Sequence, residues 1–446
     1  MKKTYNSPQR HREDKFATDR HRFSRISFKV EKIYPRFIRV YQWLKNSRKF
    51  SVFSVTRFIF ILLCIFVCSI KAQAIELIPM GSIELMGGGA YSGGEASSFS
   101  GNLEAEGILG MQLSEKLSLL PKYKGCYEGA SSVKRLETGK HLDQKNQDHI
   151  LSLKLIDEIR PSLKGKLFTN YKKSLSVETE DESWGNGVYD YDQKGLGAEV
   201  EHRKAPLDMT LSFSQYTVHF PNYQSLASAF DTETVGLENV GKDTQNYKTT
   251  ELLAEIEIEL KPGLFLKPAY IYTHKMFLDQ RLPTLTGIFG KEKRRDKIQE
   301  ISLSLNGKRK VGFGISYDLL INNSNQNHYN AEKCQFLSNF YDYKEHTLNP
   351  SITFYLASTE LSLSYSYIYK KYKDRPKQDT DGNYLEEKLY LKNHILNLCV
   401  SHPLTDRLFL KADASYKKSS SNMEYEDLYS YNYSSSNYLF GVSYEY

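Results

Sequence analysis

Apolar and polar residues alternate along most of the chain from residue 75 to residue 446. In one such run, Leu252, Ala254, Ile256, Ile258 and Leu260 occupy every second position. A period of two places alternate side chains on the same face of a β-strand. Comparable runs lie at 117–123, 151–155, 163–171, 264–272, 311–319, 361–369 and 408–416. The pattern therefore predicts an all-β fold.

The connections between these runs alternate between short and long. Short turns are expected at 114–116, 157–161, 204–208, 261–263, 306–309, 357–360 and 403–407. Long polar segments are expected between them, at 88–100, 128–146, 174–188, 221–246, 277–296, 322–340, 373–387 and 418–430. Seven short and eight long connections join 16 strands, with 14 and 18 strands as alternatives. This rhythm is typical of a closed antiparallel transmembrane β-barrel, which leaves no strand edge unpaired in the bilayer.

The end of the sequence carries the same alternation with aromatic residues. Tyr438, Phe440, Val442, Tyr444 and Tyr446 occupy one face of the last nine residues. A final strand of this kind resembles the C-terminal assembly signal of Gram-negative outer-membrane β-barrels, although that family usually ends in Phe. The resemblance implies export to the bacterial outer membrane, with periplasmic chaperones and the barrel-assembly machinery as partners. Residues 75–446 are then expected to form a single barrel.

The front of the sequence has the features of a leader. Residues 58–70 form an apolar run of 13 residues, too short for a membrane-spanning helix, which needs roughly 20. Lys71-Ala72-Gln73-Ala74 follows with an A-x-A pattern. We therefore expect a signal peptide that is cleaved after Ala74. The basic stretch before it is longer than usual, so residues 1–74 are either an extended leader or include residues upstream of the true start.

Cleavage of the leader would reverse the sign of the net charge. The whole chain has a formal net charge of +7, whereas residues 75–446 contain 43 basic and 49 acidic side chains, a net charge of −6. A basic balance therefore gives no reason to expect nucleic-acid binding. Cys126, Cys334 and Cys399 remain in this part and match neither a disulfide framework nor a zinc motif, although one pair could form.

The residues between the apolar positions are expected to line the inside of the barrel. Charged side chains on the lipid face would cost roughly 2–4 kcal/mol near the midplane. The predicted inner face carries Lys122, Lys124, Lys154, Lys164, Lys166 and Lys172 on strands three to five, and Glu251, Glu255 and Glu257 on strand eight. A basic wall opposite an acidic wall would create a transverse field across a water-filled lumen. General porins use such a field, so the resemblance implies a diffusion channel. The alternative is that these charges pair with neighbours.

Little in the chain suggests catalysis. Asp148-His149 is the only adjacent Asp-His pair, and the other histidines show no metal-ligand spacing, so we expect neither enzyme activity nor a metal or cofactor. Segment 277–296 combines an apolar stretch with Lys291, Lys293, Arg294 and Arg295, which could contact lipopolysaccharide phosphates.

The function that this sequence favours is passive diffusion of small hydrophilic solutes or ions through a porin-like channel, which could be a homotrimer. Two alternatives are a barrel that binds or stabilises the envelope through its long loops, and a polymer export channel. A soluble β-sandwich would also show alternation. It would not explain the leader, the loop rhythm and the aromatic terminus together.

Overall fold

The computed structural model describes residues 26–27, 76–92, 95–134, 141–177, 183–223, 244–308, 311–330, 333–426 and 431–446. The predicted apolar run 58–70 and the cleavage site after Ala74 lie outside these residues, as does nearly all of the predicted leader. Within the described ranges no helix is long and apolar enough to cross a membrane.

Nineteen strands account for most of the described chain. They are β1 (Ile26–Ser27), β2 (Glu76–Ser92), β3 (Glu95–Gln112), β4 (Leu117–Lys134), β5 (His141–Arg160), β6 (Leu163–Val177), β7 (Tyr191–Lys204), β8 (Leu207–His219), β9 (Tyr247–Lys261), β10 (Leu264–Pro283), β11 (Phe289–Gly307), β12 (Val311–Ser324), β13 (His328–Asn330), β14 (Gln335–Leu337), β15 (Tyr343–Leu356), β16 (Thr359–Gln378), β17 (Tyr384–Pro403), β18 (Leu408–Ser421) and β19 (Tyr433–Glu445).

Sixteen of these strands, β2 to β12 and β15 to β19, form a closed antiparallel barrel. Each pairs with its neighbours along the chain, and β19 returns to pair with β2 from Ser435 opposite Ser92 to Glu445 opposite Ser82. The short strands β13 and β14 form a separate hairpin within the connection from β12 to β15. The predicted all-β barrel of 16 strands is confirmed.

Contacts divide the chain into two units, Met1–Pro79 with Leu109–Leu119, and Met80–Ile108 with Leu120–Tyr446. In the smaller unit, Ile26 and Ser27 pair with Leu77 and Glu76. The same unit contains the turn after β3, where the backbone N–H groups of Leu113 and Ser114 donate to the carbonyl oxygen of Leu117. All 16 barrel strands contribute residues to the larger unit, and the barrel closes within it.

The short turns lie where the alternation ends, as predicted. The barrel strands are joined at 113–116, 161–162, 205–206, 262–263, 308–310, 357–358 and 404–407. We call this the short-turn end of the barrel. In the turn after β9, Gly263 adopts a φ of 77°, a conformation that favours glycine.

The long polar segments are shorter than predicted because the strands continue into them. Segment 277–296 was expected to be a loop, yet β10 extends to Pro283 and β11 begins at Phe289. A tight turn joins them, in which the N–H of Thr284 donates to the carbonyl oxygen of Ile288. Similar extensions reduce the connections at 88–100, 128–146, 373–387 and 418–430. Backbone pairing continues there although neither face is apolar, so the alternation that marks a half-buried strand is missing.

The outer face of the barrel is apolar and exposed. Leu167 on β6, Leu196 on β7 and Phe440 on β19 are 60%, 64% and 66% exposed, whereas Leu439, which faces inward, is 5% exposed. The same alternation places exposed Leu252, Ile301, Ile315, Leu363, Leu398 and Leu410 on the outer face of their strands. Every second residue therefore presents an apolar side chain outward, and the intervening polar residues line the interior.

Candidate channel wall

The inner face carries ion pairs between neighbouring strands. On β4, Lys122 Nζ lies 3.0 Å from Glu106 Oε2 and Lys124 Nζ lies 2.8 Å from Glu104 Oε1, both glutamates belonging to β3. The alternation brings these groups together because Lys122, Lys124, Glu104 and Glu106 all occupy inward positions on adjacent strands. Both predicted lysines thus face carboxylates across one strand boundary.

The same arrangement continues on β5, β6 and β7. Lys172 Nζ lies 2.7 Å from Asp148 Oδ2 on β5. Lys166 Nζ lies 2.6 Å from Glu199 Oε1 and 2.5 Å from Glu201 Oε2 on β7. The guanidinium of Arg203 also contacts Glu201. A charge cluster of alternating sign therefore covers this part of the wall.

Lys154 and Lys164 occupy inward positions in the same region. Lys154 stands opposite Phe168 in the register of β5 and β6. Lys164 stands opposite Glu158 on one side and Glu201 on the other. The structure thus places all six predicted lysines on one continuous stretch of wall, from β4 to β6.

The predicted acidic wall lies on β9 and meets one lysine. Lys267 Nζ on β10 lies 2.9 Å from Glu255 Oε1 and 3.8 Å from Glu257 Oε2. Glu251 occupies an inward position nearer the long-loop end, opposite Thr273. The three predicted glutamates are therefore aligned along one strand, and two of them share a single ammonium group.

Further carboxylates extend this acidic region. Glu300 on β11 and Asp318 on β12 are inward-facing diagonal neighbours, since Glu300 stands opposite Leu320 and Asp318 opposite Ser302. Asp318 accepts a hydrogen bond from Asn349 Nδ2 at 3.4 Å. In the described part of the chain, neither Glu300 nor Asp318 forms an ion pair.

The two walls therefore differ in balance. From β3 to β7 each of Lys122, Lys124, Lys166 and Lys172 has a carboxylate partner, which reduces the field that these lysines could project. From β9 to β12, Glu255 and Glu257 share the ammonium group of Lys267, and Glu251, Glu300 and Asp318 are further inward carboxylates. Charges that were expected to oppose each other across the barrel are, on the basic side, largely neutralised by adjacent strands.

The wall side chains remain in contact with solvent. The side chains of Lys122 and Glu106 are each 24% exposed, and that of Glu257 is 33% exposed. Groups packed in a dry core would be almost fully covered, and ion pairs there would carry a large desolvation cost. The partial exposure indicates that water reaches the inner face along these strands.

The seam between β19 and β2 is crossed by one further ion pair. Lys411 on β18 reaches Glu84 on β2, although β19 lies between these two strands. On β19, Gly441 occupies the inward position opposite Lys411 on one side and Met86 on the other, and Glu84 stands opposite the next inward residue, Ser443. A Cβ atom at Gly441 would overlap the carbonyl oxygen of Leu85, so the close approach of the strands requires glycine.

The residues of the predicted assembly signal all lie on the outer face. Tyr438, Phe440, Val442, Tyr444 and Tyr446 are exposed, and the inward Ser443 is 2% exposed. Tyr446 exchanges backbone hydrogen bonds with Gly81, at 2.8 Å and 3.2 Å. Recognition of this strand by an assembly machinery stays a prediction.

The Asp-His dipeptide does not form a catalytic pair. Asp148 faces inward to Lys172, whereas His149 lies on the outer face, where its Nδ1 is 2.9 Å from the hydroxyl of Tyr123. No group of three or more metal-binding side chains is present among the described residues. Cys126, Cys334 and Cys399 are not joined in disulfides.

His328 lies in the connection between β12 and β15, at the rim formed by the long connections, and its pKa is shifted. His328, on the hairpin of β13 and β14, stacks on Phe340 with ring centroids 4.6 Å apart. Burial, and to a lesser extent the nearby positive charge of Arg375, lowers the pKa of His328. Burial therefore favours the neutral imidazole at a position near the guanidinium of Arg375.

Sequence reasoning missed several wall residues. Glu199, Glu201, Glu300, Asp318 and Glu345 are inward-facing and follow the same parity rule that identified the predicted lysines and glutamates. The alternation of Ile301, Leu303 and Leu305 would have placed Glu300 on the opposite face. The pairings themselves require the register between strands, which a period of two does not provide.

Comparison with known proteins gives only distant likenesses. No family model and no curated protein sequence matches this chain. Among solved structures, OmpT of Vibrio cholerae, an outer membrane protein in its trimer form, is 10% identical with a TM-score of 0.45 and covers 84% of this chain and 100% of its own. OccAB3 of Acinetobacter baumannii is 10% identical with a TM-score of 0.46, covering 82% and 99%. OccD3 (OpdP) of Pseudomonas aeruginosa is 10% identical with a TM-score of 0.43, covering 82% and 91%. Similarity at this level carries no information about substrate or activity.

Proposed function

We propose that the barrel resides in the bacterial outer membrane and conducts small hydrophilic solutes or ions by passive diffusion, with a preference for cations. The observation that carries this proposal is the contrast between the two faces of one closed sheet. The outer face is apolar and exposed, and the inner face is charged and in contact with solvent.

The outer face has the height that a bilayer requires. On β16, the outward residues Leu361, Leu363, Tyr365, Tyr367 and Tyr369 precede the first outward charge at Lys371. Twelve residues separate Thr359 from Lys371, which is about 40 Å along a strand and about 30 Å along the barrel axis at the usual tilt. This agrees with an apolar band of about 25 Å bounded by aromatic residues.

The lumen of a barrel of this size is wide enough for solutes. Side chains fill the interior of barrels with about eight strands, whereas barrels of 16 to 18 strands leave an aqueous channel. The sixteen strands and the hydrated wall favour the second case.

The charges of the wall favour cations. Lys122, Lys124, Lys166 and Lys172 are each offset by a carboxylate on a neighbouring strand. From β9 to β12, by contrast, Glu255 and Glu257 share the ammonium group of Lys267, and Glu251, Glu300 and Asp318 add further inward carboxylates. A low-dielectric wall with an excess of one sign raises the local concentration of counter-ions.

Conductance of the refolded protein in a planar lipid bilayer tests the channel. We expect stepwise, ohmic single-channel currents and, in a salt gradient, a reversal potential of the sign that cation preference gives. Heat-denatured protein from the same preparation is the control. Refolded barrels that insert and give no ohmic conductance would rule out the channel.

Substitutions on the two walls test the origin of the preference. Replacing Glu300 with Gln and Asp318 with Asn should lower the cation-to-anion permeability ratio about fivefold, because each unit charge about 8 Å from an ion in water contributes about 0.5 kcal/mol and the variant removes two. Glu106→Gln with Asn102→Asp, which restores the lost charge on the same face of β3, is the matched control. Equal ratios in wild type and the double variant would mean that these carboxylates do not select ions.

Reversing Lys164 and Lys166 to Glu is the corresponding test of the basic wall. We expect the cation preference to increase, since Glu199 and Glu201 would lose their counter-charge at Lys166. Unchanged reversal potentials would mean that Lys164 and Lys166 have only a structural role in the wall and do not affect ion selectivity.

A second candidate, a barrel that binds a partner at its long-loop end, is favoured by one observation. At the tip of the hairpin between β10 and β11, Leu285 and Ile288 are 75% and 66% exposed. Apolar side chains at such tips are available for contact with another surface. Replacement of both by Ser should abolish attachment of barrel-bearing cells to a ligand surface and leave conductance unchanged. Loss of conductance alone would count against this candidate.

A further inference from the structure

A row of lysines follows the outer face beyond the apolar band. Its members are Lys297 on β11, Lys344 on β15, Lys371 on β16, Lys392 on β17 and Lys418 on β18. Each has the parity of the exposed apolar residues of its own strand, such as Leu303, Leu348, Leu363, Leu398 and Leu410. We call these five residues the outer lysine row.

The row lies at one level of the barrel. Each member is ten to twelve residues from the short-turn end of its strand, for example Lys418 from Leu408 and Lys371 from Thr359. At a rise of about 3.3 Å per residue and a tilt of about 40°, this is roughly 25–30 Å along the axis. The lysines therefore coincide with the far edge of the apolar band, where the headgroups of one leaflet would lie.

Two members of the row stand directly opposite each other. Lys344 on β15 pairs in register with Lys371 on β16. Like charges at directly opposite positions of an antiparallel pair are destabilising. Within the described residues, none of the five lysines forms an ion pair, although Lys392 Nζ lies over the ring of Tyr390, 4.9 Å from its centroid. The repulsion is therefore left uncompensated by the protein.

Aromatic residues and histidines lie immediately below the row. His346 Nδ1 is 2.7 Å from the hydroxyl of Tyr317, and the ring of His346 stacks on Tyr369 with centroids 6.5 Å apart. On the next strands, His394 Nδ1 is 2.7 Å from the hydroxyl of Tyr365. These amphipathic rings have the character of the interface between acyl chains and headgroups.

We propose that the outer lysine row binds the phosphate groups of phosphorylated lipids in the outer leaflet, with Lys344 and Lys371 sharing one phosphate. The inference rests on the proposed membrane location. Opposed residues in an antiparallel pair have Cα atoms about 4.5–5.5 Å apart, so both ammonium groups can reach the oxygens of a single phosphate. A phosphate would replace the repulsion with two charge-assisted hydrogen bonds. A second copy of this chain is a poorer partner for this face, because its own outer lysine row would repel the first.

Native mass spectrometry of the refolded protein with added lipid tests the site. The probe is bisphosphorylated lipid A, compared with the same lipid after removal of both phosphates. We expect the phosphorylated lipid to be retained and the dephosphorylated lipid to be lost. Replacing Lys344 and Lys371 with Gln should weaken retention about thirtyfold, because each lysine near an anionic membrane surface contributes about fivefold.

Two control variants have the same fold and different expectations. Lys204→Gln with Lys261→Gln removes two exposed lysines at the short-turn end and should leave retention unchanged. Lys344→Arg with Lys371→Arg keeps the charge and should retain the lipid. Equal retention by the Gln variant and wild type would overturn the proposal, as would displacement of the lipid by millimolar inorganic phosphate, which would indicate a site for a small free anion. Lipid binding is measured without any conductance. A failed channel test would therefore not affect the result of the lipid-binding test.

Discussion

Lys370 and Lys371 are neighbours in the chain and have opposite surroundings. Lys370 faces inward, where its Nζ lies 3.7 Å from Glu345 Oε2 and 3.6 Å from the centre of the Tyr343 ring. Lys371 faces outward, opposite Lys344, and has no ion pair among the described residues. On the inner face the protein itself supplies the carboxylate partner of Lys370, whereas on the outer face a partner for Lys371 must come from the surroundings. Two residues joined by one peptide bond thus face two different environments, the interior of the barrel and its outer surface.

The two faces should differ most where the apolar band is centred. Leu398→Arg on the outer face of β17 should lower the free energy of unfolding in lipid vesicles by about 2–4 kcal/mol, because the charge would face acyl chains. Asn397→Arg, one residue away on the inner face, should cost far less, since the side chain would enter water. Urea titration followed by tryptophan fluorescence would measure both, and equal losses would show that the two faces have the same environment.

Removing an inner partner should have a smaller effect. Glu345 is 8% exposed, so Glu345→Gln leaves the Lys370 ammonium without its carboxylate, at a cost of about 1–2 kcal/mol when the hydration of the lumen is taken into account. Glu360→Gln, also on the inner face and without an ion pair in the described chain, is the matched control. If both variants unfold at the same urea concentration, the inner ion pairs do not stabilise the barrel.

Supplying an outer partner should have the opposite sign. Lys344→Glu would place a carboxylate opposite Lys371 and should stabilise the barrel by about 0.2–1 kcal/mol in vesicles of a zwitterionic lipid. Lys392→Glu, which stands opposite Tyr369 and Ser420, has no lysine directly across and serves as the control. A destabilised Lys344→Glu barrel in these vesicles would contradict the repulsion that we infer between Lys344 and Lys371.

His328 at the rim shows a third case, in which the protein environment favours the neutral form of a side chain that could carry a positive charge. Because the pKa of His328 is lowered in the folded hairpin, the unfolded hairpin binds more protons between that lowered pKa and about 6.5. The stability of the hairpin should therefore be complete above about pH 6.5 and should fall as the pH drops through this window. Hydrogen exchange at β13 and β14 would measure the local opening, with His328→Phe as a variant that should lack the pH dependence.

The sequence predicted the sheet and the two faces better than it predicted what each charge meets. The alternation at 252–260 placed Glu255 and Glu257 on the inner face, because parity along a strand needs no knowledge of its neighbours. The pairing of Lys166 with Glu199 and Glu201 depends on the register of β6 and β7, which the alternation leaves open.

The outer lysine row shows a second limit. Lys371 and Lys418 interrupt an apolar face. The sequence pattern therefore predicts that the strands end near these residues and that polar loops follow. The strands continue for several residues beyond them because backbone hydrogen bonds do not require an apolar face. Only the alignment of neighbouring strands shows that the outer face changes from apolar to basic at the same height on each of them.

The seam between β19 and β2, at Gly441, has a consequence for how the barrel closes during folding. Apart from the seam, the barrel strands pair with partners that follow directly along the chain, as hairpins do. Lys411 and Glu84, by contrast, are separated by 327 residues. Bringing the ends of such a chain together costs roughly 5 kcal/mol of loop entropy, whereas each hairpin encounters its partner locally. The slow step of folding should therefore be the meeting of β2 and β19. Gly441 lets the two backbones approach closely at that point, where a Cβ atom would overlap the carbonyl oxygen of Leu85.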